Sequence, residues 1–381
     1  MYASSRLRVV ILGAGMIGDV HRRAVLLAGG ELVGVMASTP ERSIDMAAAW
    51  DTEPVLDLAH LEQLRPDVVH VCTPNSLHAA HVHAAVAAGA HIICEKPLAV
   101  GADEATRLAE AATGRIATVP FVYRFHPLVR EIRARVAAGE FGAWQLLHGS
   151  YLQDWLLDPT ATSWRVDAAK GGPSRTFADI GSHWCDLMEF VTGERIAEVL
   201  ATTTITVPER PTTSASSFGG AHGSGALQTV TTEDAAAVTF RTRSGVLGTV
   251  TVSQVSAGRK NRLWFEFDGA TRSAVFDQEN PETIWLGSAT GSGDTILHRD
   301  PSQGAADARR LSQLPAGHAQ GYAQCFEAFV ADTYAAIHGD TPDGLPTFED
   351  GVRSAHIVDA VVESARTGTW VAVPELQGAT R

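Results

Sequence analysis

"LRVVILGAGMIG", residues 7–18, decides the fold class. Its first six residues make a mostly apolar run suited to a strand covered on both faces. Gly13, Gly15 and Gly18 follow at once as G-x-G-x-x-G, with Met16 and Ile17 in the same turn, and open a helix that Gly29 and Gly30 close. In that setting the first glycine permits a tight turn and the second lets a pyrophosphate approach the backbone. The third lets the helix pack closely, and the helix N-terminus faces the phosphates. A glycine-rich turn by itself is common, so the weight comes from what surrounds it.

Outward from that turn, strands and helices alternate. "ELVGVM", "DVVHVC", "HIIC" and "RIATVP" read as strands, separated by helical stretches such as "PERSIDMAAAW", with Thr39 as N-cap and Pro40 at the first helical position. Such alternation over some 120 residues implies right-handed crossovers and a parallel sheet. After Phe121 the period changes to two: "AWQLLHGSY", "AAAVTFRT", "GVLGTVTVSQV", "RLWFEFDG" and "TIWLG" read as antiparallel strands. The expected fold is α/β. It has an N-terminal Rossmann doubly wound parallel sheet, residues 1–124, and a C-terminal α+β domain, residues 125–381, whose late helices can pack back on the first. Residues 208–229 and about 287–313, rich in small and polar residues, are expected as surface loops.

At 381 residues, 45% hydrophobic and 19% charged, the chain has material for two cores. Its net charge of −13 argues against nucleic acid or an anionic membrane as partner. Four scattered cysteines with no zinc-like spacing fit a reducing, cytoplasmic setting, and neither a targeting signal nor a membrane span is read.

Several segments carry chemistry. The acidic residue that usually binds the ribose of NAD at the end of the second strand is missing from "VMASTPER". Ser38, Thr39 and Arg42 stand there instead, a set able to accept a 2′-phosphate, so NAD and NADP both stay open. "CTPNSLH" (Cys72, Thr73, Pro74, Asn75, His78) falls on the same sheet rim and can wall a dinucleotide. His78, His81 and His83 lack a nearby carboxylate and are read as solvated or core-edge histidines, with no metal site expected. In "HIICEKPLAV" Pro97 stops the strand, which sets Glu95 and Lys96 at its carboxyl end, where ligands of α/β sheets bind. "DIGSHWCD" places Asp179 and His183 four apart, on one face if the turn is helical, as a general base with a neighbouring carboxylate. An aspartate before a helix also serves the macrodipole, so the pair alone does not decide.

Taken in order, "GAGMIG", "CTPNSLH", "EKPLAV" and "GGPSRTFADIGSHWCDL" resemble the Gfo/Idh/MocA oxidoreductases over about residues 7–190. The resemblance implies a large open, mostly antiparallel sheet in the second domain and homodimers or homotetramers formed through such sheets. It also implies Lys96 beside the nicotinamide on the reacting oxygen, Glu95 at the cofactor, and Asp179 and His183 as catalytic residues. Arg165 resembles an arginine that acts on sugar hydroxyls. Tyr123, Tyr151, Gln153, Asp154, Trp155 and Trp164 offer the donors, acceptors and apolar walls a polyol needs, although either tryptophan taken singly suits core packing. Arg124 and His318 are further cleft candidates.

The expected activity is NAD- or NADP-dependent oxidation of a secondary hydroxyl of a sugar, sugar derivative or inositol, with Lys96 and His183 assisting proton transfer. Two alternatives use the same residues. One is a glycoside hydrolase that oxidises its substrate transiently, and the other is a non-catalytic dinucleotide sensor, against which Lys96, Asp179 and His183 together argue.

Overall fold

The computed structural model describes residues 6–212, 221–222, 225–291 and 293–375. The chain divides into two compact units. The first is Met1–Pro120, Ala169–Gly172 and Phe326–Ala355; the second is Phe121–Ala168, Pro173–Cys325 and His356–Arg381.

The first unit is built on six parallel strands, β1 (Arg8–Leu12), β2 (Glu31–Met36), β3 (Glu53–Pro54), β4 (Val68–Val71), β5 (His91–Cys94) and β6 (Ala117–Thr118). Their spatial order is β3-β2-β1-β4-β5-β6. The order reverses between β1 and β4, and the crevice beyond the carboxyl ends there is where such sheets take ligands. Val9, Val10, Ile11 and Leu12 have no exposed surface, which at roughly 1.5–3 kcal/mol per fully buried aliphatic side chain makes β1 an anchor of the core. Helices α1 (Met16–Leu27), α2 (Pro40–Trp50), α3 (His60–Leu64), α4 (His78–Ala87) and α5 (Ala102–Ala111) lie between the strands in sequence. The Thr39 hydroxyl accepts from Arg42 N at 3.3 Å, capping α2 as the sequence predicts, a contact worth about 1 kcal/mol. The late helices join this unit: Val119 N donates to Pro346 O at 3.2 Å, and the Thr118 and Thr333 hydroxyls lie 3.3 Å apart.

The second unit carries a nine-stranded sheet in the order 295–298, 283–288, 272–277, 262–269, 144–152, 247–253, 235–242, 196–204 and 371–372. Every neighbouring pair is antiparallel except 144–152 with 247–253. Cross-strand register lines up Leu286, Ala274, Phe267, Leu147, Gly248, Phe240 and Val199 on one face, and all are buried. The opposite face presents Ile296, Trp285, Val275, Glu266, His148, Thr249, Thr239 and Leu200, all partly or largely exposed. This is the alternation that a period of two imposes on a sheet covered on one side.

Two expected loops contain regular structure. Glu209–Pro211 pairs with Leu227–Thr229, and Arg210 is fully buried because its guanidinium donates to the carbonyls of Leu156, Asp158 and Ala161. Residues 213–220 and 223–224 of that stretch lie outside the described residues. The second stretch contains the strand Thr295–His298 and a short helix, Ala306–Leu311. Polar composition hid both, since their stability comes from edge pairing and from the buried Arg299, whose guanidinium donates to the carbonyls of Leu314, Pro315 and His318.

Candidate active site

In the first unit the predicted residues gather on the carboxyl rim of the sheet. Gly13 adopts φ +109°, and a Cβ there would stand 2.4 Å from Cys72 O; one on Gly18 would stand 2.0 Å from Gly13 O. Both positions therefore admit no side chain. Gly15 differs, because a Cβ on it would meet no protein atom within 4 Å. It is the N-cap of α1 and supplies no side-chain cap, so the helix opens with its first N–H groups unserved by side chain. An open approach in front of an uncapped helix N-terminus fits a diphosphate.

Ser38, Thr39 and Arg42 are exposed together beyond β2, with Arg42 Nη1 3.3 Å from Ser38 Oγ. Beyond β4, Cys72 is buried and Asn75 ties its amide to Gly171 O at 3.0 Å, while Pro74 precedes a single 3₁₀ turn. His78 lies between the two rim loops, Nε2 at 2.9 Å from Thr73 O and Nδ1 at 3.0 Å from Pro97 O. Both contacts are to acceptors, and a neutral imidazole has one proton to offer, so it can serve only one at a time. Burial holds the His78 pKa down, which favours that neutral ring. His81 is buried against the Thr73 hydroxyl, its pKa lowered to about 4 by desolvation, and His83 is exposed, so the helix presents no ligand set. Glu95 is buried at the end of β5, and its Oε2 accepts from Lys96 N at 3.2 Å. Lys96 is half-buried, and its peptide bond to Pro97 is cis.

In the second unit Asp179 lies in a π-helical turn, Phe177–Gly181, that runs directly into the helix Ser182–Thr192, where His183 sits. Such widened turns recur at functional sites. The Asp179 carboxylate is held from two sides, by Gln254 Nε2 at 2.8 Å and by Arg165 Nε at 3.6 Å. His183 is enclosed by aromatic edges, with the Tyr123 ring centroid at 5.0 Å and that of Phe121 at 5.8 Å.

Beside His183 lies a network the sequence did not reveal. Tyr151 donates to Asn261 Oδ1 at 2.7 Å, Asn261 Nδ2 donates to Tyr123 Oη at 3.1 Å, and the two phenol oxygens are in hydrogen-bond contact. Gln153 donates to the same Asn261 oxygen at 2.9 Å and accepts from Trp155 Nε1 at 2.9 Å. Burial raises the Tyr123 pKa to about 12 and pushes Tyr151 up as well, so both phenols stay protonated. Because Tyr151 donates to Asn261, the contact between the phenols is Tyr123 donating to Tyr151, and each phenol proton is committed inside the network. Arg165 stacks on Trp164 at 4.5 Å.

Three candidates are engaged elsewhere. Asp154 is paired with Lys260 at 2.6 Å, and Arg124 is buried against Asp186 on the Ser182–Thr192 helix. His318 has an exposed ring, and its carbonyl is held by Arg299. Gln254 and Asn261 were missed because each stands near the end of a strand and acquires its role from a partner 75 to 138 positions away.

Known proteins resemble this chain over segments of both units. Residues 7–121 match an oxidoreductase family described by its NAD-binding Rossmann fold, and residues 129–275 match the GFO/IDH/MocA C-terminal domain. The levoglucosan dehydrogenase of Pseudarthrobacter phenanthrenivorans is 34% identical over 81% of this chain and 80% of its own. The chain belongs to the Gfo/Idh/MocA oxidoreductase family. A levoglucosan dehydrogenase solved with NADH and levoglucosan superposes with a TM-score of 0.87 at 28% identity, covering 98% of this chain and all of that one. An inositol dehydrogenase homolog from Azotobacter vinelandii, solved with NAD+, gives 0.85 at 25% identity over 97% and 98% of the two chains. As a Gfo/Idh/MocA member the chain is an NAD(P)-dependent oxidoreductase, and the glycine turn is where its first unit would hold the cofactor.

Proposed function

We propose that this enzyme oxidises a secondary hydroxyl of a sugar, anhydrosugar or inositol. The observation that carries the reading is the placement of Lys96 at the end of β5, on the same rim as the open Gly15 turn. When bound, NAD supplies the acceptor for the hydride leaving the carbinol carbon. Lys96 donates a hydrogen bond to the hydroxyl oxygen and stabilises charge developing there, while His183 takes the hydroxyl proton. Asp179, held by Gln254 and Arg165, is the carboxylate that stabilises the imidazolium His183 becomes on taking that proton. The Tyr123–Tyr151–Asn261 wall accepts from the other hydroxyls of the ring, and Trp155 and Trp164 supply apolar faces.

We read NAD as the acceptor, with Arg42 allowing residual use of NADP; the relatives solved with NADH and NAD+ support this. We assign the enzyme to the cytoplasm, a reading supported by four scattered, buried cysteines with no zinc-like spacing; no described helix is long and apolar enough to cross a membrane. The open face of the nine-stranded sheet is assigned to a homodimer contact.

A screen of levoglucosan, inositols, aldoses and glucosides with NAD+ or NADP+ tests the reading. Reduced cofactor is expected with at least one pyranose or inositol, and Arg42→Ala should weaken NADP+ use alone. Release of an aglycone without net reduction would establish the hydrolase instead. Cofactor binding without turnover of any sugar would establish the sensor.

A further inference from the structure

The core of the first unit holds polar side chains that the proposed chemistry leaves unused. β4 carries His70, which has no exposed surface and lies between the buried Val69 and Val71. His70 Nε2 stands 3.0 Å from Tyr334 Oη, and its Nδ1 stands 2.9 Å from Nδ1 of His21, likewise without exposed surface. His21 Nε2 in turn lies 3.0 Å from Glu95 Oε1, and the other Glu95 oxygen accepts from Lys96 N. Phe326 packs edge-on against the His21 ring at 5.0 Å. Side chains from a late helix, β4, α1 and the end of β5 thus form one hydrogen-bonded line that ends on the backbone of the lysine.

Counting hydrogens gives the line a direction. Glu95 meets an N–H on one oxygen and a ring nitrogen on the other, and a carboxylate can only accept. His21 therefore donates from Nε2. A neutral His21 then has a bare Nδ1, which accepts from Nδ1–H of His70, and the bare Nε2 of His70 accepts the Tyr334 hydroxyl. Every link carries one proton and no group is left unserved. Burial holds the His70 pKa well below its ordinary value and pushes that of Tyr334 up, so both stay neutral and no charge migrates along the line. Partial satisfaction of such a buried network costs more than an apolar core, so its members act as a set.

We propose that Tyr334, His70 and His21 are positioning residues, a one-way string of proton donors that fixes the Glu95 carboxylate and, through it, the Lys96 backbone for work at the substrate oxygen. This rests on the reading of Lys96 as the residue that touches that oxygen.

Long-range ¹H–¹⁵N spectra of the ¹⁵N-histidine-labelled full-length enzyme, taken from about pH 6 to 8, should show His21 as the Nε2–H tautomer and His70 as the Nδ1–H tautomer, with His70 neutral throughout. With the best sugar of the screen, His21→Leu should lower kcat at least about tenfold while NADH affinity and sugar KM change less than about threefold. His21→Gln, whose amide keeps a donor near the Nε2 position, should recover most of kcat. Tyr334→Phe, which preserves the ring and should fold, is expected to leave His70 a mixture of tautomers. Reversed tautomers, a charged His70, or a folded His21→Leu enzyme with unchanged kcat, would overturn the string. A screen in which no sugar reduces cofactor would instead remove the dehydrogenase reading, and the tautomer spectra would still decide whether the string exists.

Discussion

Lys96 and His183 differ in how far local sequence determines their placement. Lys96 could be placed from local signals, because three apolar residues and a proline bracket the charged pair and fix it at a strand end. His183 is a candidate by spacing from Asp179, yet its surroundings depend on Tyr123 and Phe121, and those of Asp179 on Gln254, which no spacing connects to the pair. Lys96→Met should lower kcat by about 10²–10⁴-fold, the range of a lost proton-handling group, with NADH still bound as judged by fluorescence titration. Gln254→Leu tests the less legible half. It removes the donor on Asp179 Oδ2 and leaves a buried carboxylate short of a partner, which costs about 1–3 kcal/mol. We expect kcat to fall about tenfold and the acidic limb of its pH profile to move. An unchanged profile would show that Asp179 does not act through His183.

Among the elements, the strand–turn–helix opening was fully legible because its glycines have reasons that sequence alone can state. The structure divides those reasons. Gly18 is required by the fold itself, since any Cβ would strike Gly13 O, whereas Gly15 faces open space and its lack of a side chain has no internal explanation. Gly18→Val should therefore lower Tm and weaken NADH together. Gly15→Val should leave Tm within a few degrees and still weaken NADH by at least about tenfold, through obstruction of the diphosphate alone. Calorimetry beside NADH titration separates the two, and a Gly15→Val protein with native affinity would move the cofactor away from this turn. The π-helical turn at Asp179 and the buried Arg210 were not legible, because a widened turn has no composition signal and a cation is read as surface until carbonyls are seen around it.

At the scale of the whole molecule, period-two patterns in the second half disclosed strands but not which face stays bare. That depends on where helices land, and the covered face turned out to be the Phe267, Leu147 and Phe240 row. The opposite row leaves Ile296 55% exposed and Trp285 and Val275 half-buried, an apolar patch spread over neighbouring strands that water would solvate poorly. Two such faces packed about 10 Å apart would bury it, as stacked sheets do. Val275 is the place to probe this, because its sequence neighbours Ala274 and Phe276 are the ones that enter the core while its own side chain points away from it. Val275→Glu should therefore fold, but in a dimer it would bury a carboxylate beside the existing Glu266, its partner in cross-strand register. An uncompensated buried charge costs about 3–5 kcal/mol, enough to shift a dimer to monomer at micromolar protein. Sedimentation equilibrium should show that shift against a dimeric parent, with the near-ultraviolet dichroism of both alike; a monomeric parent, or a variant that keeps the dimer mass, would remove the open face from the assembly.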